Sequence, residues 1–63
     1  MPNPNIAIGA EFLMRTVGTV WRVEKILRDG IHIALVNVED RTWRKTFSAL
    51  ALVNRDLFVR QPG

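Results

Sequence analysis

Two tryptophan-and-basic segments, Trp21-Arg22 and Trp43-Arg44-Lys45, hold the residue types with the clearest chemistry in this chain. Aromatic faces stack on nucleobases while cations hold phosphates, the combination by which single-stranded nucleic acid is bound. Each exposed stacking contact would contribute ~1–3 kcal/mol. In extended chain, neighbouring side chains point to opposite sides, so Trp21 parts from Arg22 and Trp43 from Arg44. Two arrangements follow. Outward tryptophans would form a stacking platform; inward ones would be core, which a small domain needs. In the second case Arg22 and Arg44 share the outer face, and Arg15 or Arg41 nearby would complete a basic stripe for backbone contacts. Arg22, Arg44, Lys45, Arg15, Arg41 and Trp43 are therefore the candidate nucleic-acid-binding residues, for DNA or RNA alike. Glu24, Asp29, Glu39 and Asp40 dilute that stripe.

Other reactive types are isolated. His32 is the single histidine, has no paired carboxylates in its neighbourhood and reads as a structural or solvated strand residue. Glu39-Asp40 lies between two strand-like runs and reads as a solvated turn. Ser48 precedes a short apolar run and reads as a helix N-cap. A glycine-rich phosphate loop, a G-x-S-x-G elbow and an H-E-x-x-H helix are all missing from the sequence. Cysteine is absent, and one imidazole cannot hold a structural zinc. The sequence predicts no catalytic residue, no metal and no cofactor.

The elements that position these residues are strands. Glu11–Arg15 reads as a first strand with Phe12 and Met14 on one face, and Gly18 as a bend into Thr19–Leu27. Asp29-Gly30 then separates that run from Ile31–Val38, a strong hairpin signal. A two-residue turn would pair Arg28 with Ile31; a three-residue loop with Gly30 left-handed would pair Leu27 with Ile31. The second is preferred, because it sets Val23 and Leu27 on the face of Ile31, Ile33 and Leu35. Thr42–Phe47 follows as a further strand, with Trp43, Lys45 and Phe47 on one side. Ser48–Leu52 suits one 3₁₀ turn, Asn54–Asp56 a turn, and Leu57 and Val59 a closing strand against the first. Residues 1–10 are expected to form an extended or flexible arm, 11–60 the folded unit and 61–63 a tail.

Ile31–Val38 is apolar on both faces, so both sides call for cover. The cover is either the chain itself or a second copy or partner protein, which would meet Ile31, Ile33, Leu35, Val36 and Val38.

Sixty-three residues make one domain, and a chain this short buries only about 60% of its unfolded surface. Without disulfides or metal it relies on compact packing or on association into an oligomer. Nine Lys and Arg against six Asp and Glu leave a formal charge of +3, and seven of the nine cations are arginine, the better phosphate ligand. No apolar run reaches the length of a membrane span, and the Met1–Asn5 start lacks the pattern of a signal peptide. A cytoplasmic protein without a membrane partner is expected.

Three meandering strands (Val17–Leu27, Ile31–Val38, Thr42–Phe47), a single turn at Ser48–Leu50 and a short last strand at Leu57–Arg60 resemble the SH3-like barrel. The resemblance covers most of the chain at the level of elements, without a signature motif. It implies a mainly β fold: a five-stranded antiparallel SH3-like barrel with one short 3₁₀ turn before the last strand. It also implies a binding role like that of the KOW-like and Tudor-like modules. Five aromatics without a tyrosine make a poor methyl-lysine cage, and Met14–Gly18 lacks the aromatics and acids of a peptide-binding SH3 groove. Type II dihydrofolate reductases, similar in size and architecture, carry Val-Gln-Ile-Tyr where this chain has Arg44-Lys45-Thr46-Phe47, so their activity does not carry over.

Overall fold

The computed structural model describes residues 6–62. Four strands, β1 (Glu11–Met14), β2 (Thr19–Ile26), β3 (His32–Asn37) and β4 (Arg44–Ser48), precede one helical turn, α1 (Ala49–Leu52), and a last strand, β5 (Phe58–Arg60). They form one antiparallel sheet in the order β4-β3-β2-β1-β5. The mainly β fold with five antiparallel strands is as the sequence predicts, but the sheet does not close into a barrel. Its edge strands β4 and β5 share no ladder; instead Phe47 of β4 meets Phe58 of β5 edge-on, ring centroids 5.2 Å apart.

The β2–β3 connection takes neither expected register. Leu27 N–H donates to the His32 carbonyl at 3.0 Å, so Arg28–Ile31 form a four-residue loop. Asp29 causes this: its Oδ1 accepts from Ile31 N at 2.8 Å and His32 N at 3.0 Å, replacing ladder bonds with side-chain ones. Gly30 takes the left-handed conformation, φ 68°, which a side chain would resist. Continued unbroken, this register would set Glu24 opposite Leu35. A β-bulge between Val23 and Lys25 absorbs one residue, so Val23 faces Leu35 and Glu24 stays in solvent. Ile26, rather than Leu27, faces Ile33, and Ile31 is exposed.

Asn37 shapes the β3–β4 turn. Its buried side chain accepts from Glu39 N at 2.8 Å and Asp40 N at 2.9 Å. Asp40 Oδ1 in turn accepts from Thr42 N and Thr42 Oγ1, and β4 begins at Arg44 instead of Thr42. Ser48 caps α1 as expected, its hydroxyl accepting from Ala51 N at 3.2 Å. The turn is α rather than 3₁₀, because Val53 N–H reaches back four residues to the Ala49 carbonyl. In β5 the inward residue is Phe58; Leu57 and Val59 are exposed, one position out of phase with the expectation.

The core contains Ile6, Ala10, Phe12, Trp21, Val23, Ile33, Leu35, Leu52 and Phe58, with Met14, Phe47 and Ala49 packed against it. Residues 6–10 belong to the folded body, since Gly9 N–H donates to the Val23 carbonyl and Val23 N–H to the Ala10 carbonyl. Residues 1–5 of the arm expected at 1–10 lie outside the described residues, as does Gly63 of the tail. Trp21 is fully buried, and its indole N–H donates to Thr19 Oγ1 at 2.7 Å.

Candidate nucleic-acid interface

Alternation distributes the predicted basic residues over two faces. On the outer face one cross-strand row reads Glu11, Arg22, Val36, Arg44. Arg22 and Arg44 do share this face, about 10 Å apart across two strand spacings. Both are paired. Arg22 Nη2 and Nε donate to Glu11 Oε2 at 2.7 and 3.0 Å, and Arg44 Nε donates to Glu24 Oε2 at 3.0 Å. Its hydrogen bond to Glu24, then that carboxylate's charge, holds the Arg44 guanidinium above its ordinary pKa. The stripe expected from sequence is thus a charge-balanced lattice.

That lattice also resolves the doubly apolar strand. Ile33 and Leu35 point inward and are core. Val36 points outward yet is only 8% exposed, flanked by Arg22 and Arg44 in the register. Arginine stems cover apolar surface while their charged ends stay wet, so the cover comes from the chain itself. Of the five residues considered for a protein interface, Ile31 is exposed and Val38 half-buried.

Lys45, without an ion-pair partner among the described residues, lies beside aromatic surface on the other side of β4. Lys45 opposes the inward residue Leu35, yet is exposed because β4 is an edge. Its ammonium sits 5.7 Å from the centre of the Trp43 ring, within cation–π range. Trp43 is 43% exposed. It leans edge-on against buried Trp21, centroids 5.0 Å apart and planes at 72°, and its carbonyl accepts from Asn37 N at 2.9 Å. Trp21 is core and Trp43 is a supported, partly open ring. Arg41 is exposed in the turn just before it and forms no ion pair among the described residues.

No protein-family model, curated protein or solved structure matches this chain.

Arg15 stands apart from both faces. At the end of β1 its Nη1 donates to the Arg55 carbonyl at 2.9 Å, beside β5. Sequence reasoning passed over its neighbours Arg55 and Arg60, because only the β1–β5 pairing brings them together. His32, read from sequence as a structural or solvated residue beside Asp29, pairs with it: His32 Nδ1 lies 2.5 Å from Asp29 Oδ2. The backbone N–H of His32, its ring and the N–H of Ile31 together lower the Asp29 pKa to about 2. Ser48 lies directly across from His32 in the ladder. Its hydroxyl serves the helix cap, however, and no hydrogen bond joins it to the imidazole among the described residues. Among the described residues, no helix is long and apolar enough to cross a membrane.

Proposed function

We propose that this chain is a small, non-enzymatic binding module that holds single-stranded DNA or RNA weakly along the inner side of its β4 edge. One observation carries the reading: Trp43 is half open, braced by Trp21 and approached by the Lys45 ammonium, with Arg41 exposed two residues earlier in the turn. A base stacks on the Trp43 face, which tolerates any sequence because every base has a π-face. Lys45 and Arg41 contact the adjoining phosphates. Arg22 and Arg44, each held by a carboxylate, take no leading part. The order of five antiparallel strands is compatible with an SH3-like barrel, a fold whose KOW-like members include RNA binders, and this likeness supports the reading.

A second reading, a protein-interaction or self-assembly module, draws on an apolar row across the outer face. Val59 pairs with Leu13, Leu13 with Val20, and Val38 N–H donates to the Val20 carbonyl. Oligonucleotide titration followed by amide NMR at low and moderate salt separates the two. Salt-sensitive shifts centred on Arg41–Lys45 support the nucleic-acid reading. Shifts confined to β1 and β2, or none, refute it and leave the apolar row as the place to look.

A further inference from the structure

A cleft of about 560 Å³ opens between β5 and α1, lined by Phe12, Leu52, Phe58 and Val59 and by three arginines, Arg15, Arg55 and Arg60. The three cations come from separate parts of the chain: the end of β1, the α1–β5 turn and β5 itself. Among the described residues, no carboxylate lines the cleft. Glu11, beside Arg60 in the neighbouring depression, is engaged by Arg22. Among the described residues, none of the three arginines has an ion-pair partner.

Placing three like charges around one hollow costs electrostatic energy that no internal partner offsets. Arg15 is preorganised there: its N–H donates to the Leu57 carbonyl at 2.8 Å and its Nη1 to the Arg55 carbonyl at 2.9 Å. One of its five guanidinium N–H donors is thereby used and the others stay available. Guanidinium forks match carboxylate and phosphate oxygens alike, and the charge decides between them. A carboxylate brings one negative charge, whereas a phosphomonoester brings about −1.5 to −2 near pH 7. Three arginines are better matched by the second. The apolar walls, with Val53 exposed among them, suit an organic body attached to the phosphate.

We propose that this cleft is a binding site for a small organic phosphate, a phosphomonoester or diphosphate, separate from the Trp43 edge and independent of the nucleic-acid reading. The test titrates the full chain with pyrophosphate, a nucleoside 5′-monophosphate and acetate at matched ionic strength, followed by amide and arginine Nε–H NMR. Saturable shifts at Arg15, Arg55 and Leu57–Arg60 are expected for both phosphates, with acetate at least tenfold weaker, roughly the loss of one charge-assisted bond. Arg60→Gln and Arg55→Gln, both at exposed positions, should each weaken the phosphates by roughly tenfold while preserving the dispersion of the spectrum. Trp43→Ala should leave the pyrophosphate shifts unchanged. Acetate binding as tightly as pyrophosphate, non-saturable shifts, or unaltered affinity in both arginine variants would overturn the proposal.

Discussion

Replacing Asn37 with alanine tests the link from fold to site. Asn37 is 4% exposed, and its Oδ1 is the acceptor for two backbone N–H groups, those of Glu39 and Asp40. Leaving a buried donor unpaired costs ~1–3 kcal/mol. Here Glu39 and Asp40 are themselves exposed, so water recovers part of each bond and the total should be about 1–2 kcal/mol. For a domain of this size each kcal/mol moves the melting midpoint by roughly 4–8 °C, giving a loss of about 4–16 °C. Asn37→Asp keeps the acceptor and should fall between the alanine variant and the parent, because its charge adds to those of Glu39 and Asp40. The same turn delivers Trp43 to its place beside Trp21, so Asn37→Ala should also red-shift tryptophan emission as Trp43 loosens. Thermal circular dichroism and fluorescence read both effects. An alanine variant that melts within about 2 °C of the parent, with unchanged emission, would refute the argument that this side chain builds the turn.

Three further outcomes follow from the same geometry. Asp29 has its pKa lowered to about 2 in the folded chain, so its contribution to stability is complete above its unfolded pKa and is lost as pH falls through the folded value. The difference in melting midpoint between the parent and Asp29→Asn should therefore shrink from about pH 5 toward pH 2; a difference that grows over that range contradicts the assignment. Leu35→Ala empties a fully buried site at ~2–5 kcal/mol, comparable to the ~3–5 kcal/mol a core this small supplies, so its circular dichroism should be that of a largely unfolded chain. Glu24→Gln releases Arg44 on the outer face and should leave the salt slope of oligonucleotide binding unchanged; a slope steeper by about 0.7, one more phosphate contact, would put the strand on the outer face instead.

The strands were legible because their signals are local. Alternation grouped Phe12 with Met14 on one face of β1, Asp29-Gly30 announced a hairpin, and Ser48 marked the start of α1. The register was not, because the Asp29 carboxylate supplies two acceptors that lengthen the loop, and the bulge before Lys25 then corrects the face. Neither device leaves a periodic trace. The basic residues were legible as types but not as a site. Whether an arginine is free depends on which carboxylate lies across the sheet, and Glu11–Arg22 and Glu24–Arg44 are long-range pairs. Trp21 and Trp43 look alike in sequence; one lies mid-sheet and the other just before an edge strand, which makes one core and leaves the other open.

Titration of the parent and of Trp43→Ala with a short single-stranded oligonucleotide, at 50 and 200 mM salt, tests the central claim most directly. With Lys45 and Arg41 as two phosphate contacts, the slope of log K against log salt should be about −1.4, a roughly sevenfold loss of affinity over that range. Removing the ring should cost ~1–3 kcal/mol, or about 5- to 160-fold, and leave the slope in place. Quenching of the parent's tryptophan emission on binding should accompany both. Equal affinity of the parent and Trp43→Ala, or binding indifferent to salt, would contradict the account.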